Sequence, residues 1–271
     1  MFNTNQFLLN DKIIIVTGGC GLLGSEFCKS IAKYNGIPII LDKDISRSKQ
    51  LIKEIYDIYK IKSFALKCDI SSETQVKKTY SLIKKKYKDK LIFGLINNAA
   101  HNPQPLKNKK IRINNFENFK ASIFDRELSV GLKGSFICSK IFGTHFAKQK
   151  KGSIINISSD LGLIAPNQNL YTHLNYYKPI TYSVIKHGII GLTKYVSSYW
   201  GEKGVRCNTI APGGVFNNQD KKFIKKIKRE IPMKRMANVE DFNGMIIYLM
   251  SDMSKYTNGA LISIDGGRTI I

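Results

Sequence analysis

The feature of this sequence that most constrains its fold is a glycine-rich turn between a short apolar run and an apolar-periodic segment. The run Ile13–Val16 is β-branched throughout, which predicts a buried strand. It leads directly into Thr17–Gly24, after which Phe27, Ile31 and Ala32 follow a helical period. Glycines in such a turn let backbone N–H groups approach a pyrophosphate at the helix N-terminus. The pattern predicts a dinucleotide-binding turn; a tight turn that binds nothing is the alternative.

A second strand-like run ends in an acidic residue. Asp42 follows the run Pro38–Leu41 and lies 18 residues after Gly24. A carboxylate at this distance can accept hydrogen bonds from the adenosine ribose and repels a 2′-phosphate, so we expect NAD to be preferred over NADP. Lys43 and Arg47 follow closely and would partly offset that repulsion. The alternative is a solvated loop carboxylate.

Strand-like runs alternate with helix-like segments along the 271 residues. The runs are Ile13–Val16, Pro38–Leu41, Ser63–Lys67, Leu91–Asn97, Ser153–Ser158, Arg206–Ala211 and Ala260–Ile264. Such alternation predicts an α/β fold, a Rossmann-type doubly wound, seven-stranded parallel sheet with helices on both faces, in a single domain over residues 1–271. The longest irregular stretches, 101–119, 161–181 and 215–233, all follow strands. We expect them to gather over the site and set substrate choice.

Tyr182 and Lys186 are four residues apart, so they share one face of a predicted helix. A free tyrosine ionises near pH ~10 and is a poor base at neutral pH. A lysine beside it favours the phenolate and is expected to lower the pKa of Tyr182. Such a pair can take a proton from an alcohol or give one to a carbonyl. Taken alone, this spacing is a weak indication of catalysis.

Together with further motifs, these features resemble the short-chain dehydrogenase/reductase family over nearly the whole chain. The residues that carry the resemblance are Thr17–Gly24, Asp69 within Cys68–Ile70, Asn97–Ala100, Ile154–Ser159, Tyr182–Lys186, Asn208–Gly214 and Ile264–Gly267. Residues 178–181 and 186–194 are further similar to bacterial members associated with flagellin glycans or surface polysaccharides. The resemblance implies an NAD(H)-dependent oxidoreductase that interconverts a secondary alcohol and a ketone, on a sugar or sugar-nucleotide substrate. Family members are usually homodimers or homotetramers.

The resemblance also implies roles for individual residues. Tyr182 would be the catalytic acid–base, and Lys186 would also hold the nicotinamide ribose. Ser159, favoured over Ser158, would hydrogen-bond the substrate oxygen as charge develops there. The implied cofactor contacts are Gly18, Cys20, Gly21, Leu22, Leu23, Gly24, Asp42, Asp69, Ile70, Asn98, Ala99, Tyr182, Lys186, Pro212, Gly213, Val215 and Asn217.

The chain departs from the family pattern between two of its catalytic positions. Ser159 and Tyr182 are 23 residues apart, where the family usually has little more than half that interval. The additional residues, 165–179, are polar and aromatic and are called the insert below. Both of its flanks carry catalytic groups, so we expect it to recognise substrate. Candidate contacts to a polar ring such as a sugar are His101, His173, Tyr176 and Tyr177. The alternative is an insert that serves only subunit contacts.

Two single positions also differ from the family. Gly131 stands where an asparagine helps to hold a water in a proton relay. Glycine keeps the carbonyl, so we expect the main-chain part of that role to survive. Asn217 stands where a threonine often contacts the cofactor amide, and it could make a similar contact.

The net charge of +23 raises the question of nucleic-acid binding. The lysines are dispersed, and no aromatic-interleaved RNA-binding motif is present. Abundant lysine, isoleucine and asparagine are what an AT-rich genome would produce. An anionic sugar derivative as substrate is the other explanation, and no nucleic-acid partner is expected. Two rival functions remain: a ketoacyl or small polyol reductase, and a non-catalytic cofactor-sensing or RNA-binding protein on the same fold.

The remaining sequence signals concern metals and location. The 5 cysteines and 4 histidines lack metal-ligand spacing, so no metal is expected. Cys20 lies in the phosphate turn, where its thiol is expected to be somewhat acidic. No secretion signal and no run of about 20 apolar residues is evident, which predicts a soluble cytoplasmic protein without a membrane partner.

Overall fold

A computed structural model describes residues 4–100 and 115–271 of the chain, in which one sheet contains seven strands. The strands are β1 (Ile13–Thr17), β2 (Ile37–Asp42), β3 (Phe64–Lys67), β4 (Ile92–Asn97), β5 (Gly152–Ile157), β6 (Val205–Pro212) and β7 (Leu261–Ile264). All neighbours pair in parallel, in the order β3-β2-β1-β4-β5-β6-β7. The predicted sheet is therefore confirmed, with strand ends displaced by one or two residues.

Eight α-helices of the described residues surround this sheet: α1 (Leu22–Lys33), α2 (Ile45–Tyr59), α3 (Glu73–Lys86), α4 (Ala121–Leu128), α5 (Gly134–Lys148), α6 (Ile180–Trp200), α7 (Lys221–Ile227) and α8 (Asn243–Met250). Successive strand side chains point to opposite faces of the sheet. Ile14 and Val16 therefore join one core with α1, α2 and α8, whereas Ile13 and Ile15 join the other with α3, α5 and α6. Covering both faces explains why the strands are apolar throughout rather than alternating.

The strand order reverses between β1 and β4, and that is where an open α/β sheet forms a crevice at its carboxyl edge. Thr17, at the end of β1, bridges this point. Its hydroxyl donates to the carbonyl of Ile96 at 3.3 Å and accepts from the N–H groups of Asn98 and Ala99, each at 3.1 Å. The ends of β1 and β4 are therefore fixed relative to one another beside the glycine turn.

The expectation of irregular structure over 215–233 was wrong in part, because α7 lies within it. Asp220 caps this helix by accepting from the N–H groups of Lys222 and Phe223. Phe223 and Ile227 are four residues apart and pack with Leu170 of the insert in a small separate core. The helix exists because the insert covers its apolar face, a long-range contact that its highly basic sequence does not advertise.

The insert has no regular element longer than one turn. It contains two 3-10 turns, Gln168–Leu170 and Thr172–Leu174, before α6 begins at Ile180. Within the same described ranges, no helix has the length and apolar character needed to cross a membrane.

Candidate active site

A cavity of about 1510 Å³ opens at the carboxyl edge of the sheet. Its wall runs from the glycine turn, past the ends of β2, β4, β5 and β6, to the insert and α7. Most of the predicted cofactor contacts line it: Gly18, Cys20, Gly21, Leu22, Leu23, Asp42, Ile70, Asn98, Ala99, Tyr182, Lys186, Pro212, Gly213, Val215 and Asn217. The other two, Gly24 and Asp69, are not part of the wall as far as the structure describes it.

The glycine turn fits a pyrophosphate. Gly18 has φ +61°, a left-handed conformation that favours glycine. A Cβ on Gly24 would lie 2.2 Å from the carbonyl oxygen of Gly18, so this position tolerates no side chain. Helix α1 starts with Gly21 as its N-cap, and no side chain caps it. Its first N–H groups are thus directed at the cavity, where an anion can accept from them.

Asn98 braces this turn from the end of β4. Its Nδ2 donates to the carbonyl oxygens of Thr17 and Gly18, at 3.1 and 3.0 Å. The side chain therefore holds the loop that would contact the pyrophosphate, a structural contribution that comes in addition to its predicted place along the cofactor.

Asp42 lines the cavity at the end of β2. Its carboxylate accepts from the N–H of Cys20 at 2.9 Å and from the N–H of Asp44 at 3.1 Å, which fixes its orientation. Lys43, expected to soften its repulsion of a phosphate, instead pairs with Asp69 at 2.9 Å. Arg47 is exposed on the cavity wall. The local charge therefore opposes a 2′-phosphate more than the sequence alone suggested.

The expectation of an acidic Cys20 thiol was wrong. The side chain is buried, and burial raises the pKa of Cys20 because a thiolate loses its hydration there. Its sulfur lies 2.9 Å from the Ser48 hydroxyl, on the side of the turn away from solvent.

The three predicted catalytic side chains meet at one end of the cavity. Ser159 follows β5, and its hydroxyl hydrogen-bonds that of Tyr182. Lys186, one turn further along α6, donates from Nζ to the carbonyl oxygen of Ile157 at 2.9 Å. Ser158 points elsewhere, because its hydroxyl donates to the main-chain carbonyl of Lys186 at 2.7 Å. The grouping can polarise a carbonyl or alcohol oxygen from two hydroxyls at once.

The predicted lowering of the Tyr182 pKa is not what this structure shows. Burial raises the pKa of Tyr182 to about 12, and the charge of Asp160 adds to the increase, while the hydrogen bond with Ser159 opposes it. Burial also lowers the pKa of Lys186 to about 8. The reason is that both charged forms lose hydration, and the Lys186 ammonium is 5.6 Å from the Tyr182 ring centroid. At neutral pH Tyr182 is a phenol, the form that can protonate a carbonyl.

Sequence reasoning missed a second lysine beside Tyr182. The ammonium of Lys178 lies 3.7 Å from the centroid of the Tyr182 ring, a cation–π distance, and its side chain lines the cavity. Burial lowers the pKa of Lys178 to about 8, partly offset by Asp160. The available signal was its spacing, since Lys178 precedes Tyr182 by the same four residues that separate Tyr182 from Lys186.

Two further charged residues were missed, and neither carries a local signal. Asp160 and Arg268 are 108 positions apart but form a buried ion pair, with Nη1 and Oδ2 at 2.6 Å. Both line the cavity beside Ser159.

The predicted substrate contacts are in different surroundings. His173 and Tyr176 line the cavity, but His173 Nε2 is 2.7 Å from Asp220 Oδ1, and Tyr176 is buried edge-on against Tyr171. Tyr177 is not among the described residues of the cavity wall. His101 lies outside the described residues. The predicted stacking of sugar rings on this group stays a prediction.

Gly131 lies in a π-helical segment, Ser129–Lys133, between α4 and α5. A Cβ at this position would lie 2.8 Å from Ile185 Cγ2, so Ile185 fills the space that a side chain would need. The Gly131 carbonyl accepts from the Ser135 hydroxyl at 2.9 Å. A carbonyl has a second lone pair, so a water can still bind it.

Over the described ranges 4–100 and 115–271, no three His, Cys, Asp or Glu side chains are grouped so that they could hold a metal ion.

Comparison with known proteins agrees with this site. The family model described as "Enoyl-(Acyl carrier protein) reductase" matches residues 23–269. The chain is 31% identical over 260 residues to "Post-translational flagellin modification protein A" of Campylobacter coli, covering 96% of this chain and 99% of that protein. It is 28% identical over 276 residues to "2-dehydro-3-deoxy-D-gluconate 5-dehydrogenase" of Bacillus subtilis (strain 168), covering 97% and 96%. A solved short-chain dehydrogenase from Leptospira borgpetersenii with bound NAD+ is 29% identical, with a TM-score of 0.83 over 99% and 97% of the two chains.

Proposed function

The chain belongs to the short-chain dehydrogenase/reductase family, and on that premise we propose that it is an NAD(H)-dependent enzyme that interconverts a secondary alcohol and a ketone on an anionic sugar derivative. The observation that carries the proposal is the grouping of Ser159, Tyr182 and Lys186 at one end of a cavity whose other end is an uncapped helix N-terminus. One end suits proton transfer and the other suits a pyrophosphate.

The chemistry divides between the cofactor and the chain. A bound nicotinamide supplies or accepts the hydride. Ser159 and Tyr182 hold the substrate oxygen, and Tyr182 gives its proton to a carbonyl or takes one from an alcohol. Lys186 places a positive charge near the phenol oxygen, which stabilises the phenolate left after proton donation. The insert and α7 cover the reacting groups and exclude water.

A preference for NAD over NADP follows from Asp42. A fixed carboxylate on the cavity wall at the end of β2 accepts hydrogen bonds from a ribose and repels a phosphate. The pairing of Lys43 with Asp69 supports this preference, because it directs that lysine away from Asp42.

The substrate class follows from the charge around the reacting hydroxyls. The side chains grouped around Tyr182 and Ser159 include three cations, Lys178, Lys186 and Arg268, and the carboxylate of Asp160. Such an excess of positive charge in a cleft attracts anions. The similar flagellin-modification and sugar-acid proteins support a carbohydrate that carries a carboxylate or phosphate.

The test is a panel of initial rates with NAD and NADP. Gluconate and a sugar nucleotide represent anionic sugars, xylitol a neutral polyol, and a 3-hydroxyacyl thioester the rival acyl substrate. We expect turnover with NAD and an anionic sugar. Turnover confined to the thioester would move the assignment to acyl reduction. NADH binding without turnover, accompanied by tight RNA binding at physiological salt, would favour a non-catalytic role.

Lys178 gives a sharper prediction within the same panel. Lys178→Met is expected to raise KM for the anionic substrate about tenfold or more, since a hydrogen bond to a charged group is lost. KM for xylitol should change little. Lys194→Met is the control, because Lys194 is exposed on the same helix outside the cavity wall. An equal rise in both KM values would contradict a role in recognising charge.

A further inference from the structure

The hydroxyl of Ser159 has a fixed direction in this structure. It donates to Asp160 Oδ1 at 2.7 Å and accepts from the N–H of Leu161 at 3.2 Å. The N–H of Leu161 is also 2.8 Å from Asp160 Oδ1. A serine hydroxyl has one proton and otherwise rotates freely. With that proton directed at Asp160, the lone pairs of Ser159 are presented to Tyr182 and to the substrate oxygen.

Asp160 is held in turn by the C-terminal segment. Its second oxygen, Oδ2, accepts from Arg268 Nη1 at 2.6 Å, and the two side chains are 4% and 5% exposed. The other nitrogen, Arg268 Nη2, donates to Glu230 Oε2 at 2.8 Å. Glu230 Oε1 accepts from Asn167 of the insert at 2.6 Å. The guanidinium therefore joins the catalytic turn, the segment after α7 and the insert.

We propose that Asp160 is a positioning residue that orients the Ser159 hydroxyl, and that Arg268 holds Asp160 in place, so that the C-terminal segment completes the active site. The inference rests on the proposed function, because orienting Ser159 matters only if Ser159 contacts a reacting oxygen.

An ion pair that only anchors the chain terminus is the competing explanation. Burying two charges removes their hydration, and a buried pair commonly stabilises a fold less than apolar packing would. Its value here lies in position, since the carboxylate accepts both the arginine and the catalytic serine. The two explanations differ in one consequence. An anchor affects the enzyme whether or not Ser159 has its hydroxyl, whereas a positioning residue acts only through that hydroxyl.

The test is a double-mutant cycle on the panel compound that the wild type oxidises fastest with NAD. Asp160→Asn removes the charge at nearly constant shape, Ser159→Ala removes the hydroxyl, and the double variant combines them. We expect Asp160→Asn to lower kcat about tenfold or more with little change in NADH affinity, since a hydrogen bond to a charged group is weakened. In the Ser159→Ala background the same change is expected to leave kcat unaltered.

Two further variants guard against a folding defect. Arg268→Lys keeps the charge but loses the two-pronged geometry, so it should lower kcat less than Asp160→Asn and again only when Ser159 is present. Asp160→Glu restores the charge and should recover part of the loss. Thermal melting and NADH titration establish that each variant is folded.

Losses that multiply in the double variant, or a wild-type kcat in Asp160→Asn, would overturn the inference while leaving the proposed function intact. If Asp160→Asn does not fold, Arg268→Lys decides the matter in the same cycle. A wild type that turns over no panel compound would overturn the proposed function and this inference with it.

Discussion

Replacing Tyr182 with phenylalanine is expected to lower turnover about 10²- to 10⁴-fold, the range typical of a lost general acid–base. The substitution removes one oxygen and keeps the ring. That ring supports the Lys178 ammonium at 3.7 Å, so the wall of the cavity should keep its shape. Cofactor affinity depends mainly on the glycine turn and should change little. Initial rates and NADH fluorescence titration measure the two effects separately.

Tyr195→Phe is the matched control for that variant. Tyr195 is on the same helix, α6, but is 67% exposed and stacks on Tyr199 outside the cavity. It should retain wild-type turnover. Near-normal turnover in Tyr182→Phe would exclude this phenol as the proton carrier, and a parallel loss of NADH binding would indicate a structural role for the hydroxyl.

Gly24→Ala is expected to have the second largest effect, on cofactor binding rather than on chemistry. The new Cβ would lie 2.2 Å from the Gly18 carbonyl oxygen and 2.8 Å from Asn98 Nδ2. Both atoms belong to the turn that would contact the pyrophosphate, so the turn must move. Overpacking of this kind costs about 1–3 kcal/mol, which corresponds to a rise in the NADH Kd of about tenfold to a hundredfold.

Gly244→Ala separates this effect from the general consequences of adding a methyl group. Gly244 lies in α8, and a Cβ there would meet nothing within 4 Å. Alanine should therefore leave the NADH Kd unchanged and stabilise the helix by up to about 1 kcal/mol. A wild-type Kd in Gly24→Ala would show that the turn does not hold the cofactor.

The sheet could be predicted from sequence because its strands are short, continuous apolar runs. A run such as Ile13–Val16 is buried on both faces, so its pattern does not depend on which partner it meets. The position of the site follows equally directly. Ser159 comes after a strand and Tyr182 starts a helix, and both must lie at the carboxyl edge of a parallel sheet.

Features that depend on distant partners could not be predicted. Helix α7 forms against the insert, and Arg268 meets Asp160 only because β7 returns the end of the chain to the site. The pKa of Tyr182 depends on how deeply the phenol is buried, which no spacing reveals. The sequence suggests a neighbour that lowers the pKa, and the structure adds a larger effect of burial in the opposite direction.

The insert shows both outcomes in one segment. Its position over the cavity could be predicted, because both of its flanks carry catalytic groups. Its internal structure could not, because it depends on packing against Phe223 and on the pair formed by His173 and Asp220. Of its residues, Lys178 is the one whose charge lies closest to the Tyr182 ring.

The most direct test of the account is the pH dependence of kcat/KM in both directions between about pH 6 and 10. The pKa of Tyr182 is raised to about 12, so the phenol holds its proton throughout this range. Oxidation requires that proton to be absent, and its rate should rise about tenfold per pH unit wherever Tyr182 remains a phenol. Ketone reduction uses the phenol as it stands and should be nearly independent of pH over the same interval. An oxidation rate that does not change with pH, or one that rises unchanged in Tyr182→Phe, would contradict the claim that this phenol carries the proton.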